Sequence, residues 1–229
     1  MKHASATFAG SFASPTGFPS DGLPEVAFLG RSNVGKSSLL NALAGTRGLA
    51  RVSAAPGRTR LVSFFRVEGV PRPGGTGRGD LYLVDLPGYG YAKAPRGVRA
   101  GFERLAVSYL LGRDALRLCV FIVDVRHPPG ERDLLLRDWL EHHRLPYAIA
   151  ANKVDALGRS EASRNLQQLA SEFGRRASAV TATSAERGTG IDELWNEIRA
   201  AAFTARRPAT SAQGGGPAAS GRTVQEHGR

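Results

Sequence analysis

The run Gly30-Arg31-Ser32-Asn33-Val34-Gly35-Lys36-Ser37 has the residue types and spacing of a polyphosphate cradle, G-x-x-x-x-G-K-S. Its glycines let the backbone curl so that successive N–H groups point inward. A helix beginning at the same point adds positive potential where the phosphates would lie. In such a loop Lys36 reaches the β- and γ-phosphates and the Ser37 hydroxyl ligates Mg²⁺. Three further groups follow in order along the chain. In Asp85-Leu86-Pro87-Gly88 a carboxylate can face the Mg²⁺ that bridges two phosphates, and the Gly88 N–H can approach the γ-phosphate without a side-chain clash. In Asn152-Lys153-Val154-Asp155 the Asp155 carboxylate can accept hydrogen bonds from guanine N1–H and its 2-amino group. Adenine offers no such pair, and a carboxylate left unpaired would penalise it. Asn152 would hold the neighbouring loop and contact the base, while the Lys153 stem covers the base plane. Thr183-Ser184-Ala185 supplies backbone N–H groups for guanine O6. Thr59, within Ala55-Pro56-Gly57-Arg58-Thr59-Arg60, lies between the first helix and the second strand, where a loop can close over the γ-phosphate and lend its hydroxyl to Mg²⁺.

Those groups act together only if the fold brings them to one edge. Apolar runs predict strands over 25–30, 61–68, 80–85, 116–124, 146–151 and 178–183. Helical spacing predicts helices over 36–46, 98–111, 130–143, 160–174 and 190–203. This alternation implies an α/β fold: a mostly parallel six-stranded sheet with one antiparallel strand and helices on both faces. The short Gly/Pro-rich link 69–79 joins two strands without a helix, which is the antiparallel hairpin. The phosphate loop, Asp85-Leu86-Pro87-Gly88, Asn152-Lys153-Val154-Asp155 and Thr183-Ser184-Ala185 then each fall at a strand's carboxyl end, the edge where ligands bind in such sheets. Residues 1–23 read as an irregular extension, 24–203 as the nucleotide-binding domain, and 204–229 as a disordered basic tail, Ala/Gly/Ser/Pro-rich and without periodicity.

The chain has 229 residues, of which 41% are hydrophobic, enough for one sizeable core plus tails. Its single cysteine, Cys119, sits in an apolar strand, forbids an internal disulfide and suits a reducing compartment. No apolar run approaches membrane-spanning length and the N-terminus has no continuous apolar signal core, so a cytoplasmic protein is expected. The formal charge is +11. Between Arg47 and Arg104 eleven Lys/Arg stand against four Asp/Glu, and the tail from Arg206 adds four Arg against one Glu. An anionic partner is the natural reading of that concentration. Arg47, Arg51, Arg58 and Arg60 in one nucleotide-sensing loop, and Lys93, Arg96 and Arg99 in or after the other, with Tyr89 and Tyr91 interleaved, would couple nucleotide state to a phosphate backbone. The alternative is a solvated basic face. Asp124 reads as a turn or cap residue, His127, His142 and His143 as surface residues without metal-ligand spacing, and Trp139 and Trp195 as packing.

G-R-S-N-V-G-K-S-S-L-L-N at 30–41, P-G-R-T at 56–59 and above all D-L-P-G-Y-G-Y-A-K at 85–93 resemble the EngB-type bacterial GTPases of the TrmE–Era–EngA–EngB–septin branch. The resemblance spans roughly 24–203. It implies a Ras-like P-loop GTPase fold, GTP/GDP and Mg²⁺ as ligands, nucleotide contacts from Gly57, Arg58, Thr59, Arg60 and Leu61, and a role in large ribosomal subunit maturation with rRNA as partner. It also implies a requirement for normal division septation, and a monomer away from the ribosome. In potassium-stimulated relatives the Asn at position 33 helps hold a K⁺ near the phosphates; here Asn33 either does so or only stabilises the loop. The position after Gly88, where many GTPases carry a water-orienting Gln, is Tyr89, so intrinsic hydrolysis should be slow. Two rivals stand beside this reading: a P-loop kinase or ATPase, and a division-apparatus protein in which GTP is structural.

Overall fold

The computed structural model describes residues 5–50, 61–75, 77–88, 96–173 and 177–204, with backbone alone for 96–103. Seven strands form one sheet: β1 (Ala6–Phe12), β2 (Glu25–Gly30), β3 (Val62–Pro71), β4 (Arg78–Asp85), β5 (Leu116–Asp124), β6 (Tyr147–Asn152) and β7 (Val180–Thr183). Their spatial order is β1-β3-β4-β2-β5-β6-β7. Five helices complete the fold: α1 (Lys36–Ala44), α2 (Arg96–Gly112), α3 (Glu131–His142), α4 (Arg159–Phe173) and α5 (Ile191–Thr204). All pairings among β4, β2, β5, β6 and β7 are parallel, and β3 pairs antiparallel with both β4 and β1.

Strand periodicity sorts the core into two layers. In β2, Val26 and Phe28 face one way and Ala27 and Leu29 the other; in β5, Leu118, Val120 and Ile122 alternate with Cys119, Phe121 and Val123. The first layer packs under α1 and α5 through Leu39, Leu43, Leu194, Trp195 and Ile198. The second packs under α2, α3 and α4 through Tyr109, Leu110, Leu140, Leu169 and Phe173. The central strands are buried on both faces, which is why their sequences read as continuous apolar runs. Trp195 locks α5 to α1 by donating its indole N–H to Leu43 O at 3.1 Å.

One expectation is corrected. The sheet has seven strands, not six, because residues 6–12 are not irregular: β1 lies at the edge and pairs antiparallel with β3, from Ala6↔Val67 to Phe12↔Val62. Only Ala6 of this strand is buried, so its sequence carries no apolar alternation to betray it. Cross-strand contacts hold it in place. The Ser11 and Ser63 hydroxyls meet at 2.7 Å, and the Phe8–Phe65 and Phe12–Phe64 ring centroids each lie 5.7 Å apart. Phe18, also from the expected extension, is buried among Phe12, Phe64 and Tyr109. The other six strands, the five helices and the β3–β4 hairpin are found where the sequence places them, within one to three residues.

Candidate functional site

The parallel ladders align the strand tips. Phe28 is in register with Asp85, Gly30 with Ile122, Asp124 with Asn152, and Asn152 with Thr183. The phosphate loop, Asp85, the Asn152 loop and the Thr183 turn therefore share one sheet edge.

Between β2 and α1 the backbone turns at two left-handed residues, Asn33 at φ 68° and Gly35 at φ 95°. Gly35 caps α1, and a Cβ there would strike the Asn152 side-chain nitrogen, so the glycine is required by space as well as by conformation. Lys36, the first residue of α1, is buried, and its ammonium pairs with the buried carboxylate of Asp85 at the end of β4. Ser37 is half-buried one residue on. The ammonium that would meet the β/γ-phosphates thus lies against the Asp85 carboxylate, with Ser37 next to it in the chain. That donor set fits a triphosphate with Mg²⁺, a hard cation that takes oxygen ligands. Leu86, Pro87 and Gly88 are buried directly after Asp85, with the Leu86 N–H donating to Phe28 O at 3.4 Å.

Asn152 ties the edge together. Its side-chain N–H donates to Val34 O at 2.9 Å, and its side-chain oxygen accepts from the Thr183 hydroxyl at 3.3 Å. These two bonds tie the phosphate loop and the end of β7 to the end of β6, and Asn152 is 1% exposed. Lys153 adopts left-handed backbone at φ 71° and starts the single turn Val154–Ala156 that carries Asp155. Its ammonium donates to Asn33 O at 2.6 Å and to Asp124 Oδ2 at 2.9 Å. Asp124 is also gripped by Arg126, with Nε to Oδ1 at 2.9 Å and a terminal nitrogen to Oδ2 at 2.7 Å. Burial would raise the Asp124 pKa, but the hydrogen bonds from Arg126 and Lys153 outweigh it and hold the carboxyl well below the usual range. Asp124 is more than the turn residue the sequence suggested; the signal that could have found it is its position at the tip of β5, one strand away from the Asn152 loop.

The Thr183-Ser184-Ala185 turn is partly consumed by its own folding. The Ser184 N–H donates to Thr189 O at 2.9 Å, and its hydroxyl accepts from the Arg187 N–H at 3.0 Å. Ala185 N–H is the remaining donor for a base oxygen. Gly190 closes this turn at φ 71°, pressed against Ala182 O. Gly57, Arg58, Thr59 and Arg60 lie outside the described residues, as do Tyr89, Tyr91 and Lys93; Leu61 is the residue before β3. The near end of the segment carrying Thr59 is clamped: the Asn41 amide donates to Ala50 O at 2.9 Å and accepts from Ala50 N–H at 2.6 Å. On the α3 side of the phosphate loop a cavity of about 190 Å³ is lined by Arg31, Ser32, Asn33, Asp124, Arg126 and His127, among others. The Ser32 hydroxyl is buried there with no partner among the described residues, and Arg31 reaches Asp133 at 3.4 Å. Among the described residues no cluster of three His, Cys, Asp or Glu could hold a metal, and no helix is long and apolar enough to cross a membrane.

A phosphate loop, a carboxylate tip and a base-reading loop on one edge of a doubly covered sheet define a P-loop GTPase. A family described as "50S ribosome-binding GTPase" matches residues 25–153. The "Probable GTP-binding protein EngB" of Symbiobacterium thermophilum is 46% identical, covering 80% of this chain and 89% of its own length. That of Solibacter usitatus is 44% identical over 86% of this chain and 96% of its own. A crystal structure of a probable GTP-binding protein EngB superposes with a TM-score of 0.59 at 26% identity, covering 76% of this chain and 96% of that one. Era in complex with MgGDPNP and nucleotides 1506–1542 of 16S ribosomal RNA superposes with a TM-score of 0.64 at 25% identity, over 82% of this chain and 59% of that one. The chain belongs to the EngB family of GTP-binding proteins, and it is a GTPase.

Proposed function

We infer that the protein is a slow, nucleotide-gated GTPase that acts in the cytoplasm, as a monomer off the ribosome, on precursors of the large ribosomal subunit through rRNA. The observation that carries the reading is the continuous set of contacts from Asp124 through Lys153 and Asn152 to Asn33 and Val34, which fixes the base-reading loop to the phosphate loop. Such an edge can sense both ends of one guanine nucleotide. The 50S ribosome binding of the matching family and the RNA held by Era support the choice of partner, and the +11 charge supports a polyanion.

In this reading the phosphate-loop N–H groups and Lys36 hold the triphosphate, Asp155 reads the guanine edge, and Ser37, Asp85 and Thr59 hold Mg²⁺. Bound Mg²⁺ supplies neutralisation of phosphate charge. Gly88 N–H tracks the γ-phosphate. Tyr89 does not replace the water-orienting Gln, so turnover is slow without help. Asn33, exposed in the phosphate loop, would hold a K⁺ that adds positive charge beside the phosphates; equal rates in KCl and NaCl would remove that role. The whole reading is tested by co-sedimentation of the full chain with ribosomal particles in GDP and in a non-hydrolysable GTP analogue. Binding to large-subunit precursors that is stronger with the analogue and falls steeply with salt is expected. Nucleotide-independent binding overturns the gating, and septal localisation without ribosomal association would favour the division-apparatus rival.

A further inference from the structure

We propose that Asp124 is a positioning residue for the guanine base, setting the pose of Lys153. The inference rests on Asn152–Asp155 being the base-reading loop. A lysine side chain has four rotatable bonds, and one that must lie flat along a base plane gains most when its far end is fixed before the base arrives. Here the far end is fixed twice. The Lys153 ammonium sits between Asn33 O at 2.6 Å and Asp124 Oδ2 at 2.9 Å. A neutral carbonyl alone is a modest anchor; the carboxylate makes the second bond charge-assisted and roughly doubles its strength.

Asp124 can bear that load because it is itself immobile. It is the last residue of β5, in register with Asn152, the residue before Lys153. The next residue bonds back to the same loop, with Val125 N–H donating to Asn152 O at 3.0 Å. The Asn165 amide from α4 then caps Val125 O at 2.8 Å. Arg126 grips both carboxylate oxygens with two guanidinium nitrogens, and its backbone N–H reaches Oδ1 at 3.2 Å. With a side chain only 14% exposed, Asp124 is shielded from salt, while the Lys153 side chain is 28% exposed. Asp155, three residues from Asn152, reads the edge of the base; Asp124 governs the group over its face. The two carboxylates of this corner thus divide the task between edge and plane.

The test is equilibrium titration of the full chain with a fluorescent GDP. Asp124→Asn keeps the shape and removes the charge. It should weaken GDP about tenfold, the effect of one partly buried charge-assisted bond. IDP, which lacks the 2-amino group, should weaken by the same factor, because the base plane does not report that group. The kcat at saturating GTP should stay within about twofold while KM rises, the pattern of uniform binding. In a Lys153→Ala background Asp124→Asn should add less than about twofold. Unchanged GDP affinity, a tenfold loss that persists without Lys153, or a loss confined to GDP would each overturn the proposal. Should D124N not fold, Asp124→Ser decides by the same cycle: it also removes the carboxylate, and a GDP affinity equal to wild type would be the refuting result. The wild-type preference for GDP over ADP tests the base-reading loop separately, so failure of that assignment is distinguishable from failure of this one.

Discussion

Replacing Gly35 by alanine places a methyl group in the tightest corner of the site. Two costs follow from the geometry. At φ 95° a non-glycine residue is strained, and left-handed backbone costs an L-residue about 1–2 kcal/mol. The new carbon would also lie nearer to the Asn152 side-chain nitrogen than the 3.0 Å that such contacts respect. The obstacle is not the loose end of a long side chain. Asn152 is buried, and its nitrogen is bonded to Val34 O at 2.9 Å. Moving it aside orphans a buried carbonyl, at about 1–3 kcal/mol. The sum is about 2–5 kcal/mol against the folded loop, which predicts at least a tenfold loss of GDP affinity. A double-mutant cycle separates the parts, reading nucleotide affinity by fluorescence titration and stability by thermal unfolding. In an Asn152→Ala background the obstacle is gone, so the penalty of Gly35→Ala should shrink by about 1–3 kcal/mol and leave only the backbone strain. Strict additivity of the two changes would refute the argument that Gly35 exists to make room for Asn152.

Glu25→Gln should destabilise the fold by about 3 kcal/mol in denaturant titration, because Glu25 is 1% exposed and accepts from Tyr109 Oη at 2.8 Å and from the Arg113 guanidinium, which would be left without its charge partner. Stability should fall as pH rises from about 10 towards 12. Burial and the Asp21 hydrogen bond push Tyr82 up to about 12, and burial and the Glu25 charge raise Tyr109 well above its ordinary value. Both contributions are complete below the unfolded tyrosine pKa near 10 and vanish on approach to the folded values, so a flat urea midpoint between pH 9 and 11.5, read by ellipticity, would contradict this. Trp195→Phe keeps most of the buried ring but strips the donor from Leu43 O; a loss of about 1–3 kcal/mol is expected, and an unchanged melting temperature would show that bond to be of no consequence.

The residue order alone determined that this chain makes a P-loop domain and that four loops share its ligand edge. Val26–Leu29 and Tyr147–Ala151 are apolar without interruption, as a strand buried on both faces requires, and each is followed by residues with a use for phosphate or base. Pattern and motif are local, so they survive in one dimension. Tertiary structure alone decided three things. β1 is a strand because β3 offers it an open edge, and its Thr, Ser and Gly residues record nothing of that neighbour. Ser184 spends its N–H on Thr189, a choice made by the closure of the turn and by Gly190. Asp124 meets Lys153 because β5 and β6 end in register, across 29 positions of chain. Pairing energies between distant residues depend on where the backbone carries them, and a carboxylate at a strand tip looks the same in sequence whether it caps a turn or holds the lysine of a nucleotide site.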